Sequence, residues 1–536
     1  MIGIGAGIGV PFRKGGGGAS VNTDFVFEVD TTQAGSASDT FVLPLQSGGT
    51  YDFNVNWGDA SNDDITVWND AATTHVYAAG GTYTITITGQ IDGWRFAGTG
   101  DRRKLLEINN WGSLKILSDR AFDNCVNLKF TTAIGAPTIT ATSLFYMFHN
   151  CDSMSTEDLS DWDISSVTNL YRMFYNNGGF NGDVSGWDTS NVTNMQGVFR
   201  GCTNFNQPLN SWDTGSVTTF YEMFYSATSF NQSLADWDVT SAGYMNEMFR
   251  SASSFNGSLL NWTPSGVLTF SRMFQNASAF NQPIESWDVS SATNMSLMFY
   301  NADGFTQDLS DWDVSSVTNM SYMFQYCNYN GDISGWTTTS LNNTYGMFWS
   351  NAGINQDLSG WDMSNVTSTA YMFMLATNFN GDVTTWDMSN VVSTRNMFKQ
   401  AYQFNQDISD WNMGSVTTIQ EMMSNCTNFN QPIGKWDTSS VTNAFKAIEN
   451  CDSFDQSLAN WDLTSMTNLG NLMLNATGLS TANTDATYIG WEAQAVANSV
   501  NVNMGGSTYT AAGAGGIART ALITDHSWTI TDGGGV

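Results

Sequence analysis

Ten aspartates stand directly after tryptophans at a regular spacing: Asp163, Asp188, Asp213, Asp238, Asp288, Asp313, Asp362, Asp387, Asp437 and Asp462. Two carboxylates from such a series can act as the acid/base pair of glycan cleavage, and several together can ligate calcium. The same column also holds Thr263, Thr337 and Asn412. Thr and Asn make the same side-chain-to-backbone turn, but neither replaces a carboxylate as acid, base or calcium ligand. The column therefore reads as a set of local turn caps. Structural calcium is the alternative, and no other cofactor is implied. Nothing singles out one pair of Asp, so a glycan depolymerase stands behind the non-catalytic readings as a further alternative.

Cysteine and histidine offer less. Cys125, Cys151, Cys202, Cys327, Cys426 and Cys451 each lie three residues after the second member of a Met-Phe-type pair, where other units carry Ala227, Ala252, Ala277 or Ala302. A column that exchanges Cys with Ala asks for a small buried side chain, so these are expected to be free thiols. The three histidines, His75, His149 and His526, fall in different segments. The sequence has no G-x-S-x-G, H-E-x-x-H, paired-cysteine metal motif or P-loop, and the glycines at Gly3, Gly5, Gly7 and Gly9 lack the spacing of a dinucleotide loop. The expectation is a protein that is not an enzyme.

Recognition chemistry is better served by a variable column. The residue after Met-Phe is Tyr175, Arg200, Tyr225, Arg250, Tyr300, Trp349 or Lys399 in successive units, and the column just before Met-Phe includes Arg172, Arg272, Tyr322 and Tyr371. Only eight Lys or Arg occur between residues 151 and 476, and four of them sit in these two columns between 172 and 272. Tyr, Trp and Arg on a rigid ladder suit binding of a glycan or a protein. The bland alternative is that the same side chains shield the edges of the units by snorkelling.

These columns exist because the chain repeats. Tryptophans at 162, 187, 212, 237, 262, 287, 312, 336, 361, 386, 411, 436 and 461 are 25 residues apart, with one interval of 24. One unit, MFYNADGFTQDLSDWDVSSVTNMSY, cannot bury its apolar positions alone, and stacking of neighbours makes one continuous core. Phe-x-x-x-Leu/Ile-x-x-Trp looks extended, whereas V-T-N-M-x-x-M-F spaces apolar residues by three and four, like a helical turn. The expected fold is an α/β repeat solenoid, leucine-rich-repeat-like, with parallel strands and short helical turns, over residues 101–476 in about fourteen coils. A parallel β-helix is the competing fold.

The flanks differ from the array. Residues 1–20 are a glycine-rich arm without the features of a secretory signal. Residues 21–100 alternate as strands do, notably in TYTITITG, and imply a β-sandwich. Residues 477–536 suggest two short helices and a closing strand that cap the array. The chain carries 18 basic and 49 acidic residues, a net charge of -31, which disfavours nucleic acid and anionic lipid as partners. No stretch reaches the ~20 apolar residues that span a bilayer.

Three resemblances follow from these residues. Trp57-Gly58-Asp59, followed by T-H-V-Y-x-x-x-G-T-Y-T-I from Thr74, resembles the polycystic-kidney-disease (PKD) type immunoglobulin-like domain. The repeat form M-F-x-x-C/A-x-x-F-N-x-x-L/I-x-x-W-D-x-S-x-V-T-N-M, as in residues 273–295 and 298–320, resembles the BspA-like leucine-rich-repeat surface proteins. That resemblance implies an exposed protein used in adhesion or recognition. The arm M-I-G-I-G-x-G-I-G-V-P-F is similar to the starts of some phage structural proteins. It implies a virion fibre or appendage that attaches to a host-surface glycan or protein, contacts other virion proteins through the arm, and can be a homo-oligomer. A secreted bacterial cell-surface adhesin is the alternative.

Overall fold

The computed structural model describes residues 23–130 and 133–536, and the arm assigned to residues 1–20 lies outside the described residues. The N-terminal strands are β1 Phe25–Asp30, β2 Thr40–Val42, β3 Thr50–Asn56, β4 Asn62–Ile65, β5 Thr74–Val76, β6 Thr82–Asp92, β7 Leu105–Asn110, β8 Leu114–Ile116 and β9 Thr138–Ile139. The first five strands of the main sheet pair antiparallel in the order β4-β3-β6-β1-β7, and β8 and β9 extend it in parallel. β2 and β5 form a separate antiparallel pair. Strand β1 buries every second residue, Phe25, Phe27 and Val29, against Trp94 and Phe41, as the two-residue period of a strand requires. β7 belongs to this sheet, so the sequence boundary at residue 101 cuts through it.

Lys104 anchors that junction. Its side chain is wholly buried and donates to Ser36 Oγ, Ala37 O and Thr40 O at 3.0, 2.8 and 2.7 Å, while Asp101 accepts from the amides of Ser36 and Val42. A buried charge survives only when its donors are filled, and these are.

The repeats are built from turns. Leu170, Arg172, Phe174 and Asn176 donate their amides to Asn194, Gln196, Val198 and Arg200 of the next unit at 3.0, 2.9, 3.0 and 2.8 Å. The amides between them close local turns, Met173 to Leu170 and Tyr175 to Arg172 at 3.0 and 3.2 Å. Such a path needs left-handed residues, and Arg172 and Asn176 have φ of 52° and 61°. The same two positions are left-handed in unit after unit, as in Glu222/Ser226, Arg272/Asn276 and Tyr322/Tyr326.

Side-chain files complete the stack. Trp212 Nε1 donates to Val184 O at 3.0 Å, and eleven other indoles, from Trp187 to Trp491, bond a carbonyl in the same way. Phe rings stack from unit to unit, for example Phe249 on Phe274 at 5.6 Å and 3°. Asn206, Asn231, Asn256 and Asn281 each accept from the amide 25 residues on, which explains the F-N signature. All six cysteines are free and buried.

Helices α1 Thr481–Glu492 and α2 Ala514–His526 follow, with β10 Asn501–Asn503, β11 Thr508–Tyr509, β12 Thr529–Thr531 and β13 Gly534–Gly535, paired β10-β12 and β11-β13. Trp491 of α1 continues the indole file through Leu458 O at 3.0 Å. None of the described helices is long and apolar enough to cross a membrane.

The expected leucine-rich-repeat-like α/β solenoid is thereby corrected. Extended strands pair mostly antiparallel in the N-terminal sheet, and α-helix is limited to the 12 and 13 residues of α1 and α2. Among the described residues of the repeats the helical content is one three-residue 3-10 turn, Ile433–Lys435. Parallel contact between units is reduced to isolated bridges such as Asn169–Asn194 and Asn294–Asn319. The three-and-four spacing of V-T-N-M-x-x-M-F comes from consecutive turns broken by left-handed residues, which a right-handed helix does not tolerate.

Candidate functional site

The two variable columns flanking Met-Phe do share one face, because the left-handed residues aim both outward beside the buried Met and Phe. Tyr175, Arg200, Tyr225, Arg250, Tyr300, Trp349 and Lys399 are all half-buried there. They do not form one uniform site, however.

From residue 120 to 272 the face is a closed ladder of charge and ring. The Arg200 guanidinium lies over Tyr175 and Tyr225 at 5.4 and 4.2 Å, and Arg172 lies over Tyr171 and Tyr175, each at 5.1 Å. Glu222, almost fully buried, ion-pairs Arg172 at 3.0 Å and Arg200 beside it. Glu247 likewise holds Arg250 at 2.7 Å and Arg272 at 3.6 Å. Burial weakens the hold of Arg172 and Arg200 on their protons, but hydrogen bonds, from Tyr146 foremost for Arg172 and from Glu222 for Arg200, more than offset it. At the start of the ladder His149 Nδ1 meets Asp123 at 2.8 Å, with its ring stacked between Tyr146 and Tyr175. Lys399 pairs with Glu421, and Lys446 with Glu449, at the far end.

Between these ends the face is aromatic. Tyr300, Tyr326, Trp349 and Tyr371 follow one another with centroids 5.6, 6.2 and 5.4 Å apart. Tyr322, Tyr345 and Tyr371 form a second file at 5.2 and 5.1 Å. Burial, ahead of the neighbouring phenols, pushes the Tyr345 hydroxyl up to about 12. Beside Tyr345 opens a groove of about 690 Å³ lined by Ser340, Asn342, Asn343, Asn365, Thr367 and Ser368.

The Asp column lies elsewhere and makes turns. Asp163 Oδ1 accepts from the Ser165 amide and hydroxyl at 3.1 and 2.6 Å, and Asp437 and Asp462 do the same with Ser439 and Thr464. Asn412 substitutes through Gly414 N at 3.2 Å. These bonds, from the Ser hydroxyl foremost, hold the carboxyls of Asp163, Asp313 and Asp437 below their ordinary value. The described residues hold no cluster of three or more His, Cys, Asp or Glu that fits a metal. His75 packs against Trp57 at 4.6 Å and bonds Asp59 at 2.9 Å. The Ser61 hydroxyl, with lesser help from His75, depresses Asp59 to about 2.

Sequence reasoning passed over the glutamates. Glu222, Glu247 and Glu421 occupy the same column as Arg172 and Arg272, and that shared column was the available signal. Tyr326 and Tyr345 were missed because they lie one column outside those two, the first mostly among Asn, Ser and Gly and the second in a mixed column with Tyr171, Tyr221, Ser271 and Arg395.

A tandem array with a recurrent variable face defines the class of this chain as a repeat protein. Four overlapping segments, residues 142–262, 236–329, 306–402 and 379–487, match the family described as "Mycoplasma protein of unknown function, DUF285". They cover well over half of the chain, which belongs to that family. The tandem matches are consistent with a BspA-like repeat surface protein. No curated protein and no solved structure matches the chain.

Proposed function

We propose that this is a non-catalytic attachment protein that recognises a surface through the face running from Tyr175 to Lys399. The observation that supports the reading is the segregation of side chains. Most repeats spend their Trp, Phe, Asn and Asp columns on internal contacts, and the half-exposed rings gather on one side. A binding ladder needs a rigid backing, and the stacked units supply it.

In the form we favour, the protein is a virion fibre or appendage that binds a host-surface glycan, with the PKD-type N-terminal unit as its base. The same face serves a secreted bacterial adhesin equally well. The catalytic alternative is disfavoured by the Asp–Ser turns, since each Asp of the series spends an oxygen on its own backbone and sits in a repeated, equivalent setting. Incubation of the purified chain with host-surface polysaccharide tests this directly. Retention of the protein without release of reducing ends is expected, and reducing ends released in proportion to protein would overturn it.

A further inference from the structure

The two halves of the face differ in charge as well as in ring content. Between Arg272 and Arg395 the sequence contains no Lys, Arg or His. The aromatic stretch from Tyr300 to Tyr371 lies inside that interval. The chain as a whole carries a net charge of -31, so an anionic ligand would meet repulsion here with no cation to offset it. The Arg residues at 172, 200, 250 and 272 are already taken by Glu222 and Glu247. A phosphate, sulfate or uronate therefore has no site on this stretch.

What the stretch does offer is ring faces beside hydroxyls and amides. Tyr326 is 41 % exposed, and its ring stands 6.2 Å from that of Trp349. The Trp349 side chain beside it is half-exposed. In the adjoining groove, the side chains of Ser340, Asn342 and Thr367 make no hydrogen bond to the described chain, so their donors and acceptors face the groove. Rings 5.1 to 6.2 Å apart advance along the array at about the pace of successive sugars in an extended pyranose chain.

We infer that the Tyr300–Tyr371 stretch, with the groove beside Tyr345, binds an uncharged polysaccharide laid along the array axis. Sugar faces stack on Tyr326, Trp349 and Tyr371, where polarised C–H groups meet the negative faces of the rings. Ring hydroxyls bond the side chains of Ser340, Asn342 and Thr367 in the groove. The inference rests on the attachment reading and narrows it to one ligand class.

Affinity electrophoresis of the full chain through gels containing dextran, mannan, a soluble β-glucan or polygalacturonate tests it. Retardation by at least one of the three neutral polymers and none by polygalacturonate is expected. Tyr326→Ser, at an exposed ring that the core does not use, and Trp349→Ala should each weaken that retardation about tenfold or more, the scale of an aromatic anchor in a binding site. A melting temperature unchanged in Tyr326→Ser separates lost binding from lost folding. Retardation by polygalacturonate, by none of the neutral polymers, or undiminished in both variants would each overturn the inference. Attachment to whole cells is scored in parallel. If cells are bound after removal of their neutral polysaccharide, the ligand class is wrong and the attachment reading stands; if no cells are bound and no polymer retards, both fall.

Discussion

Glu222 ties two repeats of the face together, because one nearly buried carboxylate serves both Arg172 and Arg200. Breaking a fully buried pair costs about 3–5 kcal/mol, but these guanidiniums are 21 % and 23 % exposed and keep their rings, so about 1–2 kcal/mol is expected for Glu222→Gln. Urea unfolding measures it, and an unchanged midpoint would mean the ion pairs contribute nothing. Trp287 and Trp312 make a sharper comparison. Both are buried to the same degree, yet Trp312 Nε1 bonds Ile284 O at 3.0 Å while Trp287 Nε1 has no partner among the described residues. Replacing each by Phe removes the same volume, so Trp312→Phe should cost about 1 kcal/mol more than Trp287→Phe, the net worth of one hydrogen bond. Equal losses in chemical denaturation would show that the indole file does not stabilise the stack. At this scale the sequence was informative about type and poor about partners. The Trp, Cys and Asp columns were legible as structural, since Ala, Thr and Asn replace Cys and Asp there without changing the geometry asked for. Charge pairing across units was not, because Arg172 and Glu222 stand two units apart in the chain.

Each unit is a run of turns whose alternate amides point to the next unit, and the left-handed residues are what make it so. A non-glycine residue there is strained by roughly 1–2 kcal/mol, while Asn tolerates the conformation better. Glycine (Gly197, Gly201, Gly346) and Asn (Asn176, Asn276, Asn301) occupy many of these positions, but Leu297 sits there at φ 57°. Leu297→Asn should therefore raise the stability of the array by about 0.5–1 kcal/mol, part of that strain. A lower urea midpoint for the variant would show that Leu297 packs usefully in spite of its backbone. The same residues explain why the unit's fold was misread. Hydrophobic spacing reports which side chains face inward, and consecutive turns and a helical turn place them alike. It does not report where the amides go, and a left-handed Glu, Arg or Tyr carries no glycine to announce it. The antiparallel N-terminal sheet was more legible, because strand alternation in TYTITITG fixes both the period and the buried face.

Over the whole molecule, stacking multiplies small local effects. The excess of negative charge would by itself make acid stabilising, since protonation relieves repulsion. The repeated Asp–Ser turns oppose that. Their carboxyls are held below 3.8 mainly by the Ser hydroxyl and amide, and the charge of a neighbouring Asp is the smallest cause acting on Asp163. A lowered folded value gives stability that is present above about pH 4 and is lost as pH falls through the folded value. The melting temperature should consequently fall between pH 4 and pH 2.5, whereas a rise over that range would mean that repulsion governs. That the chain repeats was plain in the sequence, because a 25-residue period over thirteen tryptophans has no other source. The face proposed to bind was only half visible, since the columns marked the side but not its division into a neutralised ladder and an aromatic stretch.

The most direct test of attachment through that stretch is retention of the full chain on whole bacterial cells, scored by co-sedimentation. The unaltered protein is compared with Tyr326→Ser/Trp349→Ala/Tyr371→Ser and with Asp313→Asn/Asp362→Asn/Asp387→Asn, the second set lying in the turns away from the face. Retention lost in the aromatic variant and kept in the Asp variant is expected. Retention kept in the aromatic variant, or lost in the Asp variant alone, would contradict it.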